Sequence, residues 1–319
     1  MSWDGKKVVV TGGAGFIGSH LVRALAHRGA DVTLVDNLST GRLSNLSGLE
    51  GRFELVQAST LEPLRLARAM RGADAIFHLA AVLGVKRTWE EPVRVIHENL
   101  VGTQNVLRAA SDAGVRTAVL ASSSEVYGDG LPPYSEERTP AAPRTGYAAA
   151  KLTEEKMAEA FTDETGIKTA CLRYFNVYGQ GQERSAYGFV TAIFCDRVSK
   201  GEAPIVFGDG LQTRDFTYVE DIVEGTLASA DAGSAHEVLN LGTGRETSVL
   251  ALAEAVARAA GRPELRPSHA PPRADEVRRR LADARKARAL LGWAPRTGLE
   301  DGLRLTLGNA ISSRARAEA

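Results

Sequence analysis

The sequence predicts an α/β protein: a doubly wound parallel sheet followed by a smaller α/β region. Three observations lead there. Short runs of β-branched residues alternate with helix-period segments through the first half of the chain. Those runs are apolar throughout, as in strands covered on both faces. A glycine triplet joins the first such run to the first helical segment.

Taken in order, Lys7–Thr11 reads as a strand, Phe16–Arg28 as a helix, Asp31–Asp36 and Phe53–Ala58 as strands, Leu61–Met70 as a helix and Ala75–Leu79 as a strand. The alternation continues through a helix over Pro92–Ala113, a strand over Val115–Ser122, a helix over Tyr147–Thr165 stopped by Gly166, and a strand over Lys168–Tyr174. Such alternation gives parallel strands joined by helical crossovers. After Gly179 the rhythm breaks into Gly-rich and polar loops around shorter elements, and a Pro- and Arg-rich stretch runs from Arg262 to Arg280. The expected division is a Rossmann-type dinucleotide-binding domain over residues 1–178, to which the chain returns around 214–240, and a ligand-binding domain over most of 179–319.

A chain of 319 residues suits one large domain with a smaller partner. Its 39 Lys and Arg residues balance 39 Asp and Glu residues. That removes the electrostatic footprint of a protein that tracks nucleic acid or an anionic membrane. Cys171 and Cys195 form no CxxC, so neither a disulfide framework nor a structural metal is indicated. No apolar run approaches the ~18 residues that span a bilayer, and the expected location is the cytoplasm.

Gly12, Gly15 and Gly18 lie between an apolar strand and the helix that begins near Phe16. Glycine is needed where the turn is tight, where backbone approaches a pyrophosphate, and where helix packs on strand. The helix N-terminus then offers free N–H groups to the phosphates. Asp36, at the end of the second strand, can accept hydrogen bonds from both hydroxyls of an adenine ribose and would repel a 2′-phosphate, so NAD is expected rather than NADP. Phe77-His-Leu-Ala-Ala81 closes the fourth strand with small residues that let backbone lie against the dinucleotide. His78, inside this apolar run, reads as a packed histidine.

Tyr147 and Lys151 stand four residues apart, which puts phenol and ammonium on one helical face. Lowering a tyrosine pKa from ~10 by about three units takes roughly 4 kcal/mol of preferential phenolate stabilisation. Lys151 and a positive nicotinamide ring are the expected sources. Ala121-Ser-Ser-Ser-Glu-Val-Tyr-Gly128 precedes this helix at the carboxyl end of a strand, where α/β sheets place their ligand crevice.

Ser, Tyr and Lys in this order, behind a glycine loop, resemble the extended short-chain dehydrogenase/reductases. Within them the chain is most similar to the UDP-glucose 4-epimerases, through TGGAGFIGSHL, VDNLSTG, FHLAA, ENLVGTQNVL, SSSEVYG, YAAAK, RYFNVYG, GDGLQTRDFTYVEDIV, NLGTG and PRADEVRRRLADARKARALLGW. The resemblance makes Tyr147 the base, Lys151 its partner and Ser123 the hydroxyl beside sugar O4, with Ser124 and Glu125 next to them. It places Phe16, Ile17, Asn37, Leu79, Ala80, Ala81 and Asn99 against the cofactor. Asn176 and Arg214 would hold the nucleotide diphosphate, with Arg273 and Glu276 completing the pyrophosphate and ribose contacts. Arg278 and Arg279 read as a solvated face.

Two departures stand out. Ser59 replaces the aspartate that usually faces the adenine. Arg280 falls where these epimerases gate the size of the hexose pocket.

The implied activity is NAD-dependent 4-epimerisation of a UDP-hexose through a 4-keto intermediate. Glu125 also fits 4,6-dehydratases and UDP-glucuronate decarboxylases, although the dehydratases carry an aspartate where Ser124 stands. Lys86, Arg87 and Arg280 admit a UDP-glucuronate 4-epimerase. A non-catalytic NAD-binding protein is a more distant alternative, since such relatives typically lose the tyrosine or the lysine. The resemblance also implies a homodimer through the helices at Pro92–Ala113 and Tyr147–Thr165, where Ala109, Ala110, Ala148, Ala149, Ala150 and Ala158 would allow close approach.

Overall fold

The computed structural model describes residues 2–182, 189–273 and 277–317. The first half runs β1 (Lys7–Thr11), α1 (Phe16–His27), β2 (Asp31–Asp36), β3 (Phe53–Gln57), α2 (Pro63–Ala69), β4 (Ala75–His78), α3 (Val85–Glu90), α4 (Pro92–Asp112), β5 (Thr117–Ser123), α5 (Gly146–Thr165) and β6 (Lys168–Tyr174). The second half runs β7 (Val177–Tyr178), α6 (Val190–Ser199), β8 (Ile205–Phe207), β9 (Thr213–Arg214), β10 (Thr217–Tyr218), α7 (Val219–Ser229), β11 (His236–Leu241), β12 (Thr247–Ser248), α8 (Val249–Ala259), β13 (Ser268–Ala270), β14 (Arg279–Arg280), α9 (Arg285–Leu291) and α10 (Leu299–Ala317).

Seven strands form one parallel sheet in the order β11-β6-β5-β4-β1-β2-β3. Strand order runs outward in both directions from the β1/β4 pair, so a crevice opens there at the carboxyl ends of the strands. The last strand of this sheet, β11, comes from the second half of the chain.

Successive strand side chains point to opposite faces, and in β1 both faces are buried. Val8 and Val10 pack with Leu21, Leu25, Phe77, Ile222 and Trp293 on one side. Val9 packs with Ile76, Leu66, Val106 and Leu120 on the other. At about 1.5–3 kcal/mol for each fully buried large aliphatic or aromatic side chain, this double burial dominates the stability of the sheet. A separate cluster around Tyr178, Phe194, Phe216, Leu252 and Leu303 supports the elements that follow β7.

Element ends differ from the sequence expectation for local reasons. The second helix starts at Pro63, not Leu61, because proline supplies the first helical position, where no N–H partner is needed. α5 starts at Gly146 because the Thr145 hydroxyl accepts a hydrogen bond from the Ala148 N–H at 3.1 Å.

One expectation is corrected. Ala109, Ala110, Ala148, Ala150 and Ala158 are buried within their own chain, at 6% exposure or less. Their small size lets α4 and α5 pack on the sheet and on each other, so these five offer no face to a second copy, whereas Ala149 is half-buried. Among the described residues, no helix is long and apolar enough to cross a membrane, and no group of His, Cys, Asp or Glu is arranged to hold a metal ion.

Candidate active site

The chain leaves β1 through Gly12, whose φ of +70° lies in the left-handed region that favours glycine. A Cβ there would stand 2.6 Å from the Ala80 N, and one on Gly18 would stand 2.1 Å from the Gly12 O. Gly15 caps α1 with no side-chain hydrogen bond, and the first turn carries no acidic residue. Phe16 and Ile17 open the helix, partly buried. The positive end of α1 is therefore left for a phosphate group.

Asp36 ends β2 almost buried, at 7% exposure. Its Oδ2 accepts from the Ala14 N–H at 3.0 Å and its Oδ1 from the Leu38 N–H at 2.8 Å. Asn37 Oδ1 accepts from the Ser39 N–H at 3.0 Å. The Ser59 hydroxyl accepts from the Leu61 N–H at 3.2 Å in the loop after β3. Leu79, Ala80 and Ala81 follow β4, with the Ala80 N–H donating to Thr11 Oγ1 at 3.4 Å. Asn99 on α4 clamps both backbone groups of Val82, at 2.8 and 2.9 Å. A close glycine approach, an uncompensated helix N-terminus and a buried carboxylate beside it fit a dinucleotide.

Stripped protein is expected to bind NAD more tightly than NADP, and Asp36→Asn, which keeps a side-chain acceptor for the loop, is expected to narrow the gap. Equal affinity for both cofactors in the unmodified protein, measured by fluorescence titration, would refute the role of Asp36.

His78 is packed, as the apolar run suggested. Its Nδ1 bonds Thr11 Oγ1 at 2.7 Å and its Nε2 bonds Thr103 Oγ1 at 2.9 Å. Burial, with the charge of Lys151, lowers its pKa to about 3, so it is neutral at physiological pH.

β5 delivers Ser123 to the crevice, and residues Ser124–Tyr127 follow as a short 3-10 turn. Ser123 Oγ accepts from the Glu125 N–H at 3.2 Å, and Ser123 stands close enough to the Tyr147 phenol to favour its ionised form. Tyr147 lies in the first turn of α5, and Lys151 Nζ sits 5.8 Å from the centroid of its ring. The sequence led us to expect a lowered phenol pKa. In the protein alone the direction is upward: burial acts first, then the negative charges of Glu125 and Glu154, against the bond from Ser123.

Part of the reason is a residue the sequence analysis missed. Lys151 Nζ lies 2.9 Å from Glu154 Oε2, and both side chains are 3% exposed. Burial raises the Glu154 pKa, while Lys151 and a hydrogen bond from Thr103 oppose the rise. The available signal was an acid three residues after the lysine, on the same helical face. Glu155 was missed as well. It accepts from Ser122 Oγ at 2.5 Å and from Arg173 Nε and Nη2 at 2.9 and 2.6 Å. The Arg173 guanidinium lies 4.7 Å over the Tyr127 ring, whose hydroxyl donates to Asn240 Oδ1 at 2.8 Å. This network braces the end of β5 from behind.

On the opposite wall, Asn176 follows β6 with its Oδ1 buried and without a hydrogen-bond partner among the described residues. β9 and β14 pair so that Arg214 and Arg280 are register partners. Arg214 Nη1 donates to the Thr213 carbonyl at 2.8 Å. The Arg280 side chain is 13% exposed, its Nη1 stands 3.9 Å from Glu125 Oε1, and its Nε has no partner among the described residues. Arg273 stacks 4.3 Å over the Phe207 ring. Arg278 and Arg279 form exposed bidentate pairs with Asp209 and Glu246, as a solvated face should. Ser124 is buried. Lys86 falls within α3; its side chain, like the whole of Glu276, lies outside the described residues.

Known proteins resemble this chain in sequence and fold. The sequence profile of the NAD dependent epimerase/dehydratase family matches residues 8–242. A UDP-N-acetyl-alpha-D-glucosaminuronate decarboxylase of Bacillus cytotoxicus is 35% identical, over 95% of this chain and 97% of its own length. The crystal structure of a Thermotoga maritima UDP-glucose 4-epimerase with UDP-glucose superposes with a TM-score of 0.91 at 35% identity, covering 97% of this chain and 99% of that one. A Thermus thermophilus UDP-glucose 4-epimerase in complex with NAD gives 0.87 at 34% identity, covering 96% and 99%. The chain belongs to the NAD dependent epimerase/dehydratase family, and its cofactor is NAD.

Proposed function

We propose that the protein epimerises a UDP-hexose at C4. The observation that carries this reading is the Tyr147 phenol, on one helix face with Lys151 and near Ser123 at the carboxyl end of β5. NAD, when bound, supplies the hydride acceptor and donor. Ser123 orients the sugar 4-hydroxyl, Tyr147 takes its proton and later returns it, and the positive charge of Lys151 favours the phenolate. Asn176, Arg214 and Arg273 hold the nucleotide diphosphate, with guanidinium groups matched to phosphate geometry. Ser124 argues against dehydration, because a buried hydroxyl is too weak an acid to protonate a leaving group.

A second reading, an acidic sugar, is favoured by Arg280. A largely buried guanidinium whose Nε has no partner among the described residues and whose Nη1 makes a long approach to Glu125 suits a carboxylate on C6 better than a neutral CH2OH. The decarboxylase among the relatives acts on such a sugar.

Incubation with UDP-glucose, UDP-N-acetylglucosamine, UDP-glucuronate and TDP-glucose, followed by NMR of the products, separates these readings. The expected result is a mixture of C4 epimers from a UDP-hexose with no net accumulation of NADH. A UDP-pentose formed from UDP-glucuronate would replace epimerisation by decarboxylation. If the substrate is acidic, the ratio of kcat/KM for UDP-glucuronate over UDP-glucose starts high and falls in Arg280→Ser. A low ratio that Arg280→Ser leaves unchanged eliminates the acidic sugar.

A further inference from the structure

We propose that Glu154 is a positioning residue, the buried counter-ion of Lys151, and that it sets the pH at which Tyr147 gives up its proton. The inference rests on the assignment of Tyr147 as the base. The carboxylate stands 2.9 Å from the Lys151 ammonium in a site where both side chains are 3% exposed. The ammonium is 5.8 Å from the centre of the phenol ring. A lone ammonium at that range favours phenolate strongly in a low dielectric; an ion pair is close to neutral and favours it far less.

The surroundings leave the pair to itself. On α5 the neighbouring charges are Tyr147, Lys151 and Glu155, and Glu155 is held by Arg173 of β6. From α4, Thr103 lies near the Glu154 carboxyl and lowers its pKa. From β4, His78 is neutral and is occupied by Thr103 and Thr11. Cys171 of β6 is buried, and its thiol is pushed up by burial. Glu125, beyond Ser123, adds its own negative charge to the effect on Tyr147.

The second carboxylate oxygen, Oε1, is buried without a partner among the described residues. A core carboxylate with an unmatched oxygen is costly to keep, whereas glutamine has the same shape and still accepts a hydrogen bond from Lys151. The carboxylate is therefore accounted for by its charge and not by packing.

The test compares Glu154→Gln and Glu154→Asp with the unmodified protein, each carrying the NAD it is purified with. Two quantities are read: the pH dependence of kcat on a UDP-sugar substrate, and the tyrosinate absorbance of the protein against pH, taken as the difference from Tyr147→Phe. Removing an anion beside Tyr147 lowers the phenol pKa, so the acid limb of the kcat profile and the tyrosinate midpoint should both move down by about one pH unit in Glu154→Gln. KM and NAD content should stay as they were, and Glu154→Asp should return the midpoint toward its original value. An unmoved midpoint in Glu154→Gln overturns the proposal. So does an upward shift, since that is opposite to the effect of removing a negative charge beside the phenol. Normal turnover in Tyr147→Phe overturns the assignment of the base instead, so the two failures are separable.

Discussion

Tyr147→Phe is expected to lower kcat by about two orders of magnitude or more while NAD binding stays intact. The substitution removes one hydroxyl and keeps the ring, so packing in the first turn of α5 is preserved. What disappears is the atom that would take the proton from the sugar. Glu125 acts on the same phenol but is no substitute, since a carboxylate is a far weaker base than a phenolate toward a sugar hydroxyl. The check is turnover by NMR alongside cofactor titration by fluorescence. Turnover near that of the unmodified protein would remove Tyr147 from the chemistry.

Gly18→Ala should have the other large effect, on the cofactor. The added methyl would stand 2.1 Å from the Gly12 O, 2.8 Å from the Gly13 Cα and 2.9 Å from the Gly12 C, all of them backbone of the cradle itself. No side chain can swing aside, so either α1 tilts away from β1 or the loop is pushed into the space for the pyrophosphate. Overpacking of this kind costs about 1–3 kcal/mol of stability. A shift of about 1 Å in a positioning loop can cost on the order of a hundredfold in function. The expected outcome is protein that purifies without NAD, binds it at least tenfold more weakly and melts at lower temperature. Gly233→Ala, where nothing lies within 4 Å of the added carbon, is the control. NAD retention by Gly18→Ala equal to that of the control would contradict the cradle.

The sheet and the cofactor cradle were readable in the sequence because their constraints are local. Doubly buried strands have to be apolar throughout, and the turn after β1 admits little but glycine at Gly12 and Gly18. The alanines of α4 and α5 misled because a small residue suits a helix pressed on its own sheet as well as one pressed on another subunit, and periodicity alone does not separate the two. Glu154 was passed over because Glu154-Glu155-Lys156 looks like a solvated run. The packing of α4 on α5 shows that Glu154 faces inward while Lys156 is exposed. The Arg214 and Arg280 pairing was equally out of reach, since it depends on two-residue strands that meet across a long stretch of chain.

The place of β11 in the sheet bears on how the polypeptide is made. When synthesis has passed β6, six strands are available and the outer side of β6 still lacks its neighbour. Residues 175–235 must be extruded before His236–Leu241 can pair there and before Asn240 can meet Tyr127 and donate its N–H to Glu136. Pairings so distant in sequence close slowly. In the interval the nascent chain carries an open, apolar strand edge, the feature most prone to join another chain. A fragment ending near Gly179 should therefore aggregate rather than persist as a small NAD-binding module, and the second half of the protein serves the first as the lid on its own stickiest edge.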